Sequence, residues 1–216
     1  DSDEGVFIGH NAGLLLSSGD GNTVIGYDAF KSADGAEGSN VVIGKTAGQS
    51  INHDSSSQNV IIGVGAMSGG TAQQNNNVAV GYFALGSIAN NAHTGTVAVG
   101  SNALGALTSG GKNVAIGFES GKAVTTGQRN TVLGHQAFLT SVDADECVVI
   151  GNYAMAANAT QDGTIAIGRS ALSALTSGQY NVAIGYNSMD EHLTGRANTC
   201  LGWGTMSQSG GDTTAQ

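Results

Sequence analysis

A glycine preceded by three apolar residues returns twelve times along this chain, at Gly9, Gly26, Gly44, Gly63, Gly81, Gly100, Gly117, Gly134, Gly151, Gly168, Gly185 and Gly202. The differences between successive positions are 17, 18, 19, 18 and 19, then 17 six times. Such a repeat dictates a stacked architecture, because one short unit cannot bury its apolar face alone and must use its neighbours. Asn113-Val114-Ala115-Ile116-Gly117 is representative.

With the glycine as position 0, position −1 is always Ile, Val or Leu, −3 is always Val, Thr or Ile, and −2 is always apolar. Position −4 is Asn in eight of the twelve copies. Position +3 is Ala in nine copies and Ser120, Ser188 or Thr205 in the others. Position +4 is Leu, Met or Phe in nine copies and Gly in three. Three apolar, β-branched-rich residues suit a short strand. Side chains alternate along a strand, so −1 and −3 share one face and −2 takes the other. Both faces are apolar and both need covering, one by the rest of the coil and one by a second surface. The glycine marks a positive φ or a close backbone approach, and the +4 side chain is expected to turn inward.

The spacing therefore predicts an all-β fold: a parallel β-solenoid of about twelve 17–19-residue coils, forming one repeat-solenoid domain over residues 1–216. The second half of each coil is looser, and segments such as 106–110, 174–178 and 193–195 suggest a second short strand. Stacking at ~4.8 Å per coil gives a rod of about 53 Å. The −4 asparagines should form an amide ladder along it. The chain opens directly into the repeat and ends within a further coil, and is read as a segment of a longer fibre protein.

Composition narrows the function. There are 35 Gly, no Pro, 5% aromatic and 11% charged residues, too few large side chains for a conventional core. The net charge of −9 leaves no basic patch to track phosphates, so nucleic acid is not an expected partner. No apolar run reaches the length of a membrane span, so no membrane insertion by this segment is expected. The two cysteines, Cys147 and Cys200, lie three coils apart, ~14 Å at the strand spacing. That is too far for a bridge, so two free thiols are expected.

The unit Asn181 to Ser188, like Asn77 to Ala84, resembles the head repeat of trimeric autotransporter adhesins. Asn22-Thr23-Val24-Ile25-Gly26-Tyr27-Asp28-Ala29-Phe30 is similar to arrays in phage tail fibres and bacterial tail-fibre-domain proteins. The resemblance covers nearly the whole chain. It implies a left-handed β-roll, a homotrimer, and an extracellular fibre on a virion tail or bacterial surface. It also implies adhesion to a cell-surface glycan or receptor. The adhesin repeat is usually shorter than the unit found here, and no chaperone domain of the kind that ends many phage fibres is present in this sequence.

Enzymatic readings are weaker. Left-handed β-helix acyltransferases need three hexapeptides per coil, and here the motif occurs once. A glycan-degrading tail spike needs paired carboxylates in a cleft, and no cleft is inferable. No catalytic residue, cofactor or metal site is therefore expected. The histidines His10, His53, His93, His135 and His192 show no metal-ligand spacing. Asp143-Ala144-Asp145-Glu146 offers hard oxygen ligands but reads more simply as a solvated turn. Tyr27, Tyr82, Phe118, Tyr186 and Trp203 recur at +1, placed to pack on a neighbour or stack on sugars. Asn158-Ala159-Thr160 is a formal glycosylation sequon.

The coils between Gly26 and Gly100 are longer than the rest, and their extra residues should leave the roll as loops over 50–58, 70–76 and 88–95. Loops on a rigid scaffold are where binding surfaces lie. His53, Asn75, Asn76, Asn90, Asn91 and His93 are the candidate ligand-binding residues; surface slack is the simpler account.

Overall fold

A computed structural model describes residues 4–88, 91–157 and 162–207. The strands are β1 (Val6–Ile8), β2 (Thr23–Ile25), β3 (Val41–Ile43), β4 (Val60–Ile62), β5 (Gln74–Asn75), β6 (Val78–Val80), β7 (His93–Thr94), β8 (Val97–Val99), β9 (Val114–Ile116), β10 (Thr131–Leu133), β11 (Val148–Ile150), β12 (Ile165–Ile167), β13 (Val182–Ile184) and β14 (Thr199–Leu201). No helix occurs among the described residues. Twelve of the strands, one per motif, form a single parallel sheet in sequence order, making the chain a β-solenoid. Each −2 residue pairs with the next, as in Val24 with Val42 and Ala98 with Ala115. The −2 residues thus form one column in register along the stack.

Backbone hydrogen bonds carry the stack in both directions. The −3 amide donates to the −4 carbonyl of the next coil, as in Thr23 to Asn40 at 2.8 Å. The glycine amide donates to the −1 carbonyl of the previous coil, as in Gly26 to Ile8 at 2.8 Å. The glycine itself has φ of 143° at Gly26 and 137° at Gly44. A Cβ on Gly44 would lie 2.5 Å from the Gly63 carbonyl oxygen. Both anticipated reasons for glycine therefore hold at once.

Less foreseeable is the turn that follows. Position +2 is left-handed in every coil, as at Asp28 (φ 51°), Phe83 (φ 49°) and Glu119 (φ 53°), and so is +4, as at Phe30 (φ 50°) and Leu104 (φ 48°). Each such residue costs about 1–2 kcal/mol in isolation. The geometry lets the +2 amide donate down the stack, Asp28 to His10 at 2.9 Å, and the +4 amide donate up it, Phe30 to Ala47 at 2.9 Å. It also points the +4 side chain inward: Phe30, Met67, Leu85, Leu104, Phe138, Met155, Leu172 and Met189 are fully buried. Burying a side chain of that size contributes about 1.5–3 kcal/mol, which offsets the backbone strain.

The amide ladder exists, in three runs. The Asn22 side-chain carbonyl accepts from the backbone and side-chain amides of Asn40, at 3.0 and 3.2 Å. The pattern repeats from Asn40 to Asn59 and from Asn59 to Asn77. It stops where Thr96 takes position −4. Shorter runs link Asn113 to Asn130, with Cys147 above it, and Asn181 to Asn198. Neither cysteine forms a disulfide, as the spacing implies, and both are buried.

The second half of the coil departs from expectation. Segment 106–110 forms no strand, and the extra residues do not simply leave the roll. Instead Gln74–Asn75 pairs in parallel with His93–Thr94 as a small second sheet, extended by a bridge from Ser57 to Asn75. Another bridge joins Ser177 to Thr194, so two of the three segments expected to pair, 174–178 and 193–195, do so at one residue each. The inserted residues are long enough to reach the next coil's backbone, and hydrogen bonding there is better than leaving amides to water.

Candidate functional site

The two faces of each strand separate cleanly. Position −2 is buried in the interior from β2 onward, whereas −1 and −3 face outward and are half-buried or exposed. Ile116 is 39% and Leu133 43% exposed, beside Ala115 and Val132 with essentially no exposure. The result is a mostly apolar outer stripe, two residues wide, along all twelve coils, with Thr23, Thr131 and Thr199 as its polar members.

Position +1 adds a third outer column: His10, Tyr27, Lys45, Val64, Tyr82, Ser101, Phe118, His135, Asn152, Arg169, Tyr186 and Trp203. Its members contact one another up the stack. His10 stacks on Tyr27 at 5.3 Å and Phe118 on His135 at 5.2 Å between ring centroids. The Arg169 guanidinium lies 5.5 Å from the Tyr186 ring centre, and Arg169 also donates to the Tyr186 hydroxyl at 2.9 Å. The rings remain about half exposed, and Trp203 is 79% exposed. Packing along the column and an accessible ring edge therefore coexist.

Of the loop residues singled out by the repeat lengths, His53, Asn76 and Asn91 reach the surface. His53 Nδ1 accepts from the Ser55 amide at 3.3 Å. Asn91 donates to the Thr108 carbonyl at 3.0 Å. Asn75 is half-buried and its side-chain oxygen accepts from the Ser57 amide at 2.8 Å, tying two coils together. His93 is enclosed, with Nδ1 3.2 Å from the Gly110 carbonyl and Nε2 3.2 Å from the Thr108 carbonyl. Asn75, Asn91 and His93 converge around Gln74, whose side chain donates to the Asn91 carbonyl. Asn90 and the sequon at Asn158 lie outside the described residues.

Burial depresses the His93 pKa below its ordinary 6.5, more than its two carbonyl partners raise it. The folded state thus binds fewer protons than the unfolded chain just below that value. Its stabilising contribution is complete above pH 6.5 and is lost as pH falls through the depressed pKa. Thermal melts should show a drop in stability on acidification through this window, and His93→Gln should shrink it. An unchanged pH dependence in the variant would refute the assignment.

Neither cysteine is an activated thiolate. Burial pushes the Cys147 thiol up to about 11, and burial also raises Cys200. Reactive thiols are depressed instead. The acidic turn at Asp145 and Glu146 is partly compensated by Arg129, whose Nε donates to Glu146 at 2.9 Å and whose terminal nitrogen lies 4.0 Å from Asp145.

Sequence reasoning missed a groove of about 560 Å³ lined by Phe83, Ser87, Asn102, Ala106, Glu119, Lys122 and Leu139 among others. Hydrogen bonds from Lys122 and Gln136 hold the Glu119 carboxyl below its usual range. The groove joins residues of several coils around the left-handed +2 column, and no single copy of the repeat signals it. Comparison with protein-family models, with curated proteins and with solved structures finds no match to this chain. Among the described residues no helix is long and apolar enough to cross a membrane.

Proposed function

We propose that the chain is the shaft of a trimeric, adhesive extracellular fibre, displayed at a virion or bacterial surface. The observation that carries this reading is the stripe of positions −1 and −3, apolar at −1 in all twelve coils and at −3 in nine, with Thr in the other three, and left at least partly uncovered by the chain itself. Monomers rarely expose a contiguous apolar surface of that extent. A stripe kept in register from coil to coil can be matched by copies of itself around an axis parallel to the stack, and three chains so arranged would bury it. The cross-coil hydrogen bonds and the inward +4 residues make each rod self-supporting, so association joins formed units. The ligand class is a cell-surface glycan. The 560 Å³ groove offers the Phe83 ring, Asn102, Glu119 and Lys122 for it, and three copies multiply a weak contact into useful avidity.

Sedimentation equilibrium should give three times the 21.4 kDa chain mass at all accessible concentrations. A stable monomer would overturn the reading. A glycan array probed with the assembled protein tests the adhesive part, and Glu119→Gln should reduce any binding that the groove provides.

A further inference from the structure

We propose that Asp34, Glu37 and Asp54 form a binding site for a hard divalent cation, Ca²⁺. Asp34 and Glu37 lie on the connection from β2 to β3, and Asp54 lies on the connection from β3 to β4. Asn22 and Asn40 donate to the carbonyls of Glu37 and Ser56, so Ser56 is the counterpart of Glu37 on the next coil and Asp54 lies two residues before it. The stack therefore brings all three together: one carboxylate oxygen from each lies within 4.8 Å of the others. Oxygens no farther apart than this can be bridged by one ion at Ca²⁺–oxygen distances of about 2.4 Å.

Acidic clusters are common on surfaces, and the distinguishing feature is Glu37. Charged residues of a solenoid belong on its wet turns, yet Glu37 has no exposed surface. Its Oε2 accepts from the Gly35 amide at 3.0 Å. Its Oε1 is buried and has no hydrogen-bond partner. An unpartnered buried carboxylate oxygen is unfavourable unless positive charge compensates it, and two further carboxylates beside it deepen the deficit. Among the described residues no Lys or Arg pairs with these carboxylates: the ion pairs are Lys31 with Asp28, Lys122 with Glu119, and Arg129 with Asp145 and Glu146. The other acidic turn carries its own cation in Arg129; this one does not.

Gly35 shapes the site. A Cβ there would collide with the Asp54 carboxylate, so the glycine lets that carboxylate settle against the Asp34–Glu37 turn. The donors are all oxygen, which selects Ca²⁺ or Mg²⁺ over zinc or copper. Mg²⁺ requires near-ideal octahedral geometry, whereas Ca²⁺ accepts six to eight ligands in flexible arrangements. Asp34 and Asp54 are exposed, so water can complete the shell. The proposal stands independently of the fibre reading, because all three residues belong to one chain.

Isothermal titration of the full chain, stripped with chelator and titrated with CaCl₂, should show one saturable site per chain. Its Kd should be on the order of 10⁻⁴–10⁻³ M, the range of extracellular Ca²⁺ modules, with weaker binding of MgCl₂. Asp34→Asn and Asp54→Asn change exposed side chains, should keep the native circular dichroism, and should each weaken Ca²⁺ at least tenfold. Glu37→Gln keeps an acceptor for the Gly35 amide while removing the charge, and should abolish binding; if it does not fold, the two exposed variants decide. No saturable heat up to about 20 mM, well above that range, would overturn the site. So would binding unchanged in Asp34→Asn and Asp54→Asn. Mg²⁺ binding as tight as Ca²⁺ would overturn the choice of ion.

Discussion

Gly117→Ala is expected to break the stack in its middle, with a loss of about 4 kcal/mol or more, at the extreme of single substitutions. Gly117 has φ 138°, and a Cβ there would run into the Gly134 carbonyl of the next coil. That neighbour is backbone, held by the pairing of β9 with β10, and cannot rotate aside as a side chain would. Adding the methyl therefore forces the two coils apart or abandons the backbone angle that aligns them. Because each coil of a solenoid contacts only its neighbours, the damage should appear as a denaturation curve split into two transitions. Gly111→Ala is the control, a little earlier on the same coil. Its added Cβ would meet nothing closer than the Thr94 carbonyl at 3.8 Å, and it has no positive φ. It should be neutral or stabilising by about 0.4–1 kcal/mol through the unfolded state. Urea denaturation at matched chain concentration separates the two, and equal midpoints would show that close approach does not explain the glycine.

The contrast between these glycines marks what the sequence could reveal. Features that need the same residue type in every coil were legible: the strand triplets, the motif glycine, the −4 amide ladder and the inward +4 residues. The left-handed +2 position was not, because residues as different as Thr46, Phe83, Glu119 and Tyr153 occupy it. The conformation there is imposed by the hydrogen bonds of the coils above and below, and any side chain that points outward is tolerated. The small sheet of β5 and β7 was hidden for a related reason. Its residues are polar and irregular, and the coil-to-coil amide bonds, not a hydrophobic pattern, decide its pairing.

The candidate sites were less legible still, since each is assembled across coils. Length arithmetic drew attention to His53 but not to the neighbouring Asp54, or to Glu37 one coil before it. Reading acidic residues modulo the local repeat would not have found the cluster, because Asp54 stacks against Gly35 and the counterpart of Glu37 is Ser56. His93 looked like a surface loop residue because the chain is longest there. The extra length instead carries it into β7, under the Thr108 and Gly110 carbonyls. The apolar strand faces were ambiguous for a different reason: both are apolar, so alternation alone could not say which is inside. The frequent alanines at −2, in Ala79, Ala98, Ala115, Ala166 and Ala183, are the clue in retrospect, because the narrow interior also holds the +3 and +4 side chains.

That assignment of faces decides how assembly is to be tested. Ala115 and Ala183 are core residues, so a carboxylate there would enter the coil interior unpaired and unfold the rod. The same charge one residue on, in Ile116→Asp combined with Leu133→Asp, meets the outer stripe. Both positions are more than a third exposed in the isolated chain, so the single rod should fold, with native circular dichroism. In a trimer the pair would remove six aliphatic side chains whose remaining 39–43% exposure assembly buries, a loss on the order of 5 kcal/mol when full burial contributes about 1.5–3 kcal/mol each. It would also gather like charges about the axis. Sedimentation should therefore show a folded monomer for the double variant, an unfolded or aggregated chain for Ala115→Asp, and a trimer for the parent. If the double variant sediments with the mass of the parent, the −1 and −3 columns are not the interface. The exposed column of Tyr27, Tyr82, Phe118, Tyr186 and Trp203 then becomes the next surface to charge.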